Sequence, residues 1–292
     1  MTRFSVVVPV RSAEDFLDEC LWSVRRQTGV SLEVVVVDDA SPDASGAIAD
    51  RHAAADPRVT VVHLARSEGV GAARNAGIAL ARGEYLVFLD ADDTFVDSAV
   101  LADLAAEGEP DLLLFGYEER RPCGLRRPVR PDPRAVLRAS WVCWNKVYRR
   151  EAVAGLRFPP GYYEDFAWSV PAVLAAERVQ VSARIGVGYR RCRTSGISRG
   201  VSARHFEVFE QFERILAFLA RRPELDSPEA REALADGAAA FLRSRTDRLR
   251  VVPPRLVAEF RSRSAELTAR LRGGVSGSSG GSSAGPGGRR CR

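Results

Sequence analysis

Residues Gly83–Phe95 read GEYLVFLDADDTF, and this stretch decides how the first half of the chain folds. Its segment Tyr85–Leu89 is apolar or aromatic throughout, which predicts a buried β-strand. Three carboxylates follow at once, on Asp90, Asp92 and Asp93. Carboxylates this close raise one another's pKa unless a positive charge neutralises them. The strand end therefore predicts a metal ion, an arginine or solvating water beside these side chains.

The alternation of apolar strand and amphipathic helix recurs through the first hundred residues. Further buried strands are predicted at Phe4–Val10, at Leu32–Val37 and at 58–65. Helices are predicted at 13–27, 43–55 and 69–83. Apolar strands separated by helices are typical of an α/β fold in which helices cover both faces of a mostly parallel sheet.

Polar side chains follow several of these strands where the strands end. Pro9, the pair Asp38–Asp39 and the aspartates from Asp90 to Asp93 all occupy such positions. In parallel sheets, ligands bind outside the carboxyl ends of the strands. The three turns are therefore expected to form one ligand-binding rim.

The composition limits the classes of protein that fit. The chain has 292 residues, a net charge of +5 and a pI of about 9.2, which suits anionic ligands or an acidic membrane surface. We expect no nucleic-acid partner. Five cysteines without CxxC spacing predict a reduced compartment and no disulfide framework. Neither a signal peptide nor a membrane span is predicted, so we expect a cytoplasmic protein with at most peripheral membrane contact.

The second half of the chain has a less regular pattern. A strand is expected at 111–119, a loop at 120–134, helix in part of 139–153, a helix in 162–177 and a strand pair in 180–193. Residues 205–272 have a helical pattern, and 273–292 are low in complexity and expected to be disordered.

The aspartates after the fourth predicted strand admit two interpretations. Mg²⁺ and Mn²⁺ prefer oxygen ligands, and Mg²⁺ usually binds one or two carboxylates together with substrate phosphates. Alternatively, the aspartates cap the N-terminus of a helix that begins within residues 92–104. Capping accounts for one or two carboxylates, whereas a metal site accounts for all three. We therefore favour a metal site over helix capping.

Four segments together resemble family 2 glycosyltransferases, which have the Rossmann-like GT-A fold. They are FSVVVPV, VVVVDDASPDAS, GVGAARNAGIALARGEYLVFLDADD and YYEDFAW, in this order. The resemblance covers roughly residues 1–200. It implies a GT-A domain over 1–204, with a nucleotide-binding half at 1–110 and an acceptor half at 111–204, followed by a helical extension at 205–272. It also implies inverting transfer of a sugar from a nucleotide diphosphate donor to a hydroxyl, with Mn²⁺ or Mg²⁺ held by Asp92 and Asp93.

The resemblance assigns a donor-binding set to this sequence. Its members are Pro9, Val10, Asp38, Asp39, Arg74, Asp90, Asp92, Arg191 and Arg193. Pro9 and Val10 would lie under the base, with an ordinary strand end as the alternative. The Asp38–Asp39 pair would accept the N3–H of uracil or its analogue; the alternative is an Asx turn, which is compatible with base binding. Arg74 would lie near the base and diphosphate, although a plain surface arginine is the alternative. Asn75 is expected to organise its loop.

The acidic pair Glu164 and Asp165 matches the position of the general base in this family. An acceptor hydroxyl needs a base because it is a poor nucleophile until its proton is taken. We favour Asp165; the alternative is an ordinary enrichment of acids at a helix N-terminus. Four aromatic neighbours could stack on sugar faces and exclude water: Tyr162, Tyr163, Phe166 and Trp168.

Two basic features have open roles. Lys146 is the only lysine, and it follows Asn145 in a segment that many relatives share. We expect a structural or acceptor-side role; the alternative is a lysine retained by chance in an arginine-rich composition. The segment Gly188–Ser198 resembles a family stretch in which Arg191, Arg193 and Ser195 would close over the diphosphate. A solvated basic loop is the alternative.

The implied function is sugar transfer from a donor, most simply a UDP-sugar, to a saccharide or lipid-linked acceptor in surface polysaccharide or glycoconjugate synthesis. One rival is a nucleotidyltransferase, but such enzymes need a glycine-rich loop after the first strand, where this chain reads PVRSAEDF. The other rival is a non-catalytic module that binds nucleotide sugar or glycan. Such a module would have no use for a base at Asp165.

Overall fold

A computed structural model describes residues 2–139, 141–191 and 200–273 of the chain. Within these residues, nine strands form one sheet. They are β1 (Phe4–Val10), β2 (Leu32–Asp38), β3 (Val59–His63), β4 (Tyr85–Phe88), β5 (Thr94–Phe95), β6 (Leu112–Arg120), β7 (Arg126–Val129), β8 (Lys146–Arg149) and β9 (Val179–Arg190). Their order in the sheet is β3-β2-β1-β4-β8-β6-β9-β5, with β7 paired to β6.

Helices pack around this sheet and continue beyond it. They are α1 (Leu17–Arg25), α2 (Ser45–Ala55), α3 (Val70–Leu80), α4 (Val100–Ala106), α5 (Val136–Ala139), α6 (Glu164–Ala175), α7 (Glu207–Arg221), α8 (Pro228–Thr246) and α9 (Val257–Gly273). Short 3₁₀ helices lie at Ala203–Phe206, Pro223–Leu225 and Pro254–Leu256.

The first four strands form the parallel half of the sheet, as predicted. β1 lies between β2 and β4 and is parallel to both, and β3 continues the parallel order beyond β2. Every residue of β1 and β2 is buried, because helices cover both faces. The predicted α/β fold is confirmed.

The rest of the sheet is mixed, because β8 is antiparallel to both of its neighbours, β4 and β6. The prediction of helix in part of 139–153 is wrong for this strand. Val147 pairs with Val87 on one side and Leu113 on the other, so the main-chain groups of β8 complete two ladders. A helix at this position would leave main-chain N–H and C=O groups of β4 and β6 without hydrogen-bond partners.

Two further predictions for the second half need correction. Residues 179–190 form one twelve-residue strand, β9, and not a strand pair. Gly186 lies inside it because a Cβ there would come within 2.7 Å of the Phe115 ring, so close packing and not a turn explains this glycine. The predicted loop at 120–134 also contains β7, which pairs with the end of β6.

The helices after residue 203 share a hydrophobic core with the sheet domain. Pro223 and Pro253–Pro254 lie between these helices. Trp141, Phe166 and Phe212 belong to this core, which joins α6 to α7, α8 and α9. The domain boundary at 204 stays a prediction. No helix in the described ranges combines the length and apolarity needed to cross a bilayer. The predicted tail lies, except for Gly273, outside the described residues.

Candidate active site

The rim at the carboxyl ends of β1 and β2 brings four predicted donor-binding residues together. Val10 is in register with Asp38, and Pro9 is in register with Val37. The backbone N–H of Asp39 donates to the carbonyl oxygen of Val10 at 2.8 Å. Pro9, Val10, Asp38 and Asp39 therefore form one continuous segment of the sheet edge.

The Asp39 carboxylate organises the turn that precedes α3. It accepts hydrogen bonds from Ser67 Oγ (2.8 Å) and from the backbone N–H groups of Glu68 (2.6 Å) and Gly69 (3.1 Å). A carboxylate offers about four acceptor positions. The turn before α3 therefore occupies three of the acceptor positions of Asp39, and about one remains for a ligand.

The Asp38 carboxylate has more acceptor capacity left. It accepts from the backbone N–H of Ser41 at 3.0 Å and contacts His63 Nδ1 at 2.9 Å. The hydrogen bond to Asp38, followed by that to Asp50, raises the pKa of His63. Within the acidic pair, Asp38 is the better placed to accept a further hydrogen bond from a nucleotide base.

Arg74 bridges two carboxylates beneath the site. Its Nη1 donates to Glu164 Oε1 at 2.5 Å, and its Nη2 donates to Asp90 Oδ1 at 2.8 Å. The residue is only 4% exposed. It is therefore not a plain surface arginine, and its contacts favour a bridging role over direct contact with the diphosphate.

Asn75 holds the backbone at Phe158, as expected of a loop-organising residue. Its Nδ2 donates to the Phe158 carbonyl oxygen at 2.8 Å, and its Oδ1 accepts from the Phe158 N–H at 2.9 Å. This two-sided hydrogen bond fixes α3 against the segment that leads to α6. The prediction for Asn75 is confirmed.

The three aspartates after β4 lie in a turn and have different surroundings. The Asp93 N–H donates to the Asp90 carbonyl oxygen at 2.9 Å, which closes the turn. Asp90 is paired with Arg74, Asp93 is buried, and Asp92 is partly exposed. Burial, followed by repulsion from Asp92 and Asp90, raises the pKa of Asp93. Arg74 thus neutralises Asp90, while Asp93 is buried beside further negative charge.

A divalent cation fits this turn. Asp93 Oδ1 accepts from the Arg190 N–H at 2.7 Å, while its Oδ2 is buried and has no hydrogen-bond partner in the described part of the chain. Among described residues, no three His, Cys, Asp or Glu side chains group into a complete metal site. One or two carboxylates that share an ion with a diphosphate remain compatible with this geometry. Helix capping is excluded as the alternative, because α4 begins only at Val100.

Arg190 is a site residue that the sequence did not single out. Besides its backbone contact with Asp93, its Nε donates to the Asp92 carbonyl oxygen at 3.0 Å, and its Nη2 donates to Glu19 at 2.7 Å. Arg190, the last residue of β9, thus holds the turn that contains Asp90, Asp92 and Asp93, here called the aspartate turn. Its predicted neighbour Arg191 is engaged by both oxygens of Glu119 at 2.9 Å, and Arg193 lies outside the described residues, as does Ser195.

An aromatic cluster flanks the aspartate turn. The rings of Trp144 and Tyr189 are stacked with centroids 5.1 Å apart, and Tyr117 packs edge-on against Trp144 at 4.9 Å. Burial raises the pKa of Tyr189 to about 12, with a further contribution from Asp93. This cluster is partly accessible through Tyr117 and Tyr189. It is a partly exposed aromatic surface that the sequence did not reveal.

Two of the aromatic residues proposed to stack on sugars are in the core instead. Trp168 is fully buried and stacks on Phe158 at 4.6 Å. Phe166 is buried against Trp141 at 5.1 Å. The prediction is wrong for Trp168 and Phe166, because both face inward from α6; Tyr162 and Tyr163 stay partly exposed.

The acidic pair begins α6, and its two members have different environments. Glu164 is buried and bound to Arg74. Asp165 is partly exposed, and no described residue donates a hydrogen bond to its carboxylate. Burial, followed by repulsion from Glu164, raises the pKa of Asp165 to about 8. A carboxyl group with such a strong affinity for a proton suits general-base chemistry.

Lys146 is completely buried near this pair. Its Nζ donates to the Val142 carbonyl oxygen at 2.5 Å and to Asn145 Oδ1 at 2.9 Å. Burial lowers the pKa of Lys146 to about 7, while its charge lowers the pKa of Asp165. These contacts indicate a structural position from which the ammonium also acts on the electrostatics of the site.

Comparison with known proteins identifies a consistent set of relatives. Residues 5–158 match the sequence model described as glycosyl transferase family 2. The chain is 35% identical over 200 residues to an uncharacterized Bacillus subtilis glycosyltransferase, EpsJ, in a match that covers 61% of this chain and 58% of that protein. It is 33% identical over 172 residues to the putative glycosyltransferase EpsH of the same species, covering 53% and 50%. The match thus spans between half and three fifths of the length of these curated relatives.

Solved structures share the fold. S. aureus TarS 1–349 in complex with UDP-GlcNAc superimposes with a TM-score of 0.68 at 20% identity, covering 93% of this chain and 91% of that chain. The mannosyltransferase PcManGT from Pyrobaculum calidifontis, in complex with GDP-Man and Mn²⁺, gives 0.56 at 21% identity, covering 92% and 84%. At this identity the similarity establishes the GT-A fold alone.

Proposed function

The chain belongs to glycosyl transferase family 2, and from that premise we propose that it transfers a sugar from a nucleotide diphosphate donor to an acceptor hydroxyl with inversion at the anomeric carbon. The observation that carries the proposal is the environment of the Asp165 side chain. The residue is partly exposed, no described residue donates a hydrogen bond to its carboxylate, and burial raises its pKa to about 8. A side chain with these properties is prepared to take a proton from a bound ligand.

In the proposed reaction, Asp165 accepts the proton of the acceptor hydroxyl while the hydroxyl oxygen attacks the anomeric carbon. The nucleotide diphosphate leaves from the opposite face of the sugar, so the new linkage has the inverted configuration. Glu164 is held by Arg74 and keeps a negative charge beside Asp165, which strengthens Asp165 as a base. The Arg74 bridge also fixes Asp90 relative to this pair.

The donor would lie along the rim of the parallel strands. Pro9 and Val10 form the floor for the base, and Asp38, which has more acceptor capacity left than Asp39, faces the base edge. Asp92 and Asp93 would hold the divalent ion, and Arg191 and Arg193 would approach the diphosphate. When bound, Mn²⁺ or Mg²⁺ supplies positive charge that stabilises the leaving diphosphate.

We favour a UDP-sugar as donor. A structural neighbour, TarS, was solved with UDP-GlcNAc, whereas PcManGT was solved with GDP-Man and Mn²⁺. The proposed acceptors are a saccharide or a lipid-linked saccharide of a surface polysaccharide or glycoconjugate. This assignment would place the enzyme in the cytoplasm or at the inner face of the membrane.

Thermal unfolding in the presence of nucleotide sugars tests donor binding and its metal requirement. We expect a UDP-sugar with Mn²⁺ at about one hundred times its Kd to add about 2.7 kcal/mol to the free energy of unfolding. Tm should rise by about 5 °C or more. EDTA or Asp92→Asn should abolish most of this rise, whereas Asp236→Asn, on α8, should not. Stabilisation that EDTA leaves unchanged would remove the ion from donor binding, and no stabilisation by any nucleotide sugar would contradict the proposed function.

The pH dependence of transfer tests the protonation state of Asp165. Because the base must be ionised and its pKa is raised, kcat/KM should increase about tenfold per pH unit on the acidic side. It should level off near pH 8, the pKa of Asp165 in the free enzyme. The fraction of folded protein must be measured at each pH as a control. A flat profile between about pH 6 and pH 9 would be inconsistent with Asp165 as the base.

A further inference from the structure

The turn that leads into the acidic pair has an unusual backbone. Gly161 has φ of 99°, and Tyr163, the residue before α6, has φ of 64°. Non-glycine residues rarely adopt positive φ, and they keep it only where the surroundings enforce it. The position of Glu164 and Asp165 therefore depends on contacts that hold residues 160–163, here called the base turn.

Helix α7 supplies polar contacts to the backbone of the base turn. Glu207 Oε2 accepts from the Tyr162 N–H at 2.7 Å. Gln211, which is fully buried, donates from Nε2 to the carbonyl oxygens of Pro160 at 3.1 Å and Tyr162 at 3.2 Å. A Cβ on Gly161 would come within 2.8 Å of Glu207 Oε2, so the turn and α7 are in close contact.

A buried histidine adds a contact to the Tyr163 side chain. His205 Nε2 lies 2.8 Å from the Gly200 carbonyl oxygen, which can only accept, so Nε2 carries the proton. Burial lowers the pKa of His205 and so favours the neutral ring, in which Nδ1 is an acceptor. Nδ1 therefore accepts from the Tyr163 hydroxyl at 2.5 Å. This hydrogen bond holds the one non-glycine residue of the turn that has positive φ.

These polar contacts are not needed to attach the C-terminal helices. Phe166, Val170 and Phe212 already join α6 to α7 in a common hydrophobic core. The carboxylate of Glu207 is itself fixed by Arg204, which donates to it from Nε at 2.6 Å. A fixed acceptor aimed at one backbone N–H is suited to set the conformation of the turn.

We propose that Glu207 and Gln211 are positioning residues: they hold the base turn so that Asp165 faces the acceptor hydroxyl. This inference rests on the proposed function, and it gives the helical extension a role in transfer. A displacement of about 1 Å at a reacting group can lower a rate about a hundredfold, so small changes in the turn should be measurable.

The test uses the full chain with Glu207→Leu and Gln211→Met, which remove the polar groups but keep side-chain bulk. We expect kcat to fall at least about tenfold, with the donor KM changed less than about twofold. The acidic limb of the profile of kcat/KM against pH should shift to lower pH, because a more exposed Asp165 has a lower pKa. Amide hydrogen exchange at residues 162–165 should become faster. Glu207→Gln keeps an oxygen acceptor for Tyr162 and should recover most of kcat. Glu213→Leu, on the exposed side of α7, is the matched control.

An unchanged kcat in both variants would overturn the proposal. So would a fall in kcat that is matched by loss of donor binding or of folded protein, because either result would indicate a purely structural role. If the wild-type protein transfers no sugar from any donor, the proposed function fails. In that case the exchange rates of the 162–165 amides decide whether the two side chains hold the turn, and unchanged rates would contradict it.

Discussion

Replacing Asp165 by asparagine is expected to lower kcat by about 10² to 10⁴-fold, because the variant cannot accept the proton of the acceptor hydroxyl. Asparagine has nearly the same volume, so the fold and the donor site should persist. Steady-state transfer with saturating donor and Mn²⁺ is the measurement. Asp236→Asn, the same chemical change at a partly exposed position of α8, should leave kcat within about twofold. Wild-type turnover by Asp165→Asn would show that another group is the base.

The same substitution that lowers kcat is expected to maintain or increase thermal stability at alkaline pH. The pKa of Asp165 is raised to about 8, above its ordinary value of 3.8, so the folded protein binds this proton more tightly than the unfolded chain. Stability is therefore lost as pH rises between these two values. The asparagine side chain has no proton to lose, so Tm of Asp165→Asn at about pH 9 should equal or exceed that of the wild type. A marked drop in Tm would indicate that Asp165 has a stabilising contact.

Replacing Arg74 by methionine should destabilise the fold by about 3–5 kcal/mol, because it leaves the partners of a buried ion pair without compensation. Asp90 and Glu164 would then face each other's charge without the guanidinium between them. Arg74→Lys should recover only part of this loss, since one ammonium cannot reproduce the fork of two Nη donors. Chemical denaturation at about pH 8 gives the free energy of unfolding.

The pH dependence and a surface control complete this test. At about pH 5 the loss should be smaller, because protonation of Glu164, whose pKa burial already raises, removes part of the repulsion. Arg66→Met removes an exposed arginine that pairs with Glu68, and it should change stability by less than about 0.5 kcal/mol. A loss below about 1 kcal/mol for Arg74→Met would mean that the bridge does not hold the site together.

The parallel half of the sheet could be predicted from the sequence because its evidence is local. Segments such as Phe4–Val10 are apolar at nearly every position, and burial on both faces accounts for that pattern. Once the strands are parallel, the turns after β1, β2 and β4 must meet at one edge. The convergence of Asp38, Asp39 and the aspartate turn followed from topology alone.

The remaining features depend on neighbours that are distant in the sequence. β8 is a strand because it pairs with β4 on one side and β6 on the other. The sequence of residues 146–149 alone does not distinguish a strand from a helix. Arg190 contacts Asp93 through its backbone N–H, which no residue type can reveal. Among 42 arginines, the sequence also could not show that Arg74 bridges two carboxylates.

The Arg74 bridge also bears on the order in which the protein assembles during synthesis. β1, β2, β3 and β4 need only the first 88 residues to complete their parallel ladders. Arg74 meets Asp90 just beyond that span, but its second partner, Glu164, emerges from the ribosome much later. A nascent chain can therefore complete its parallel ladders first, and the charge balance around Arg74 is reached only when Glu164 is added.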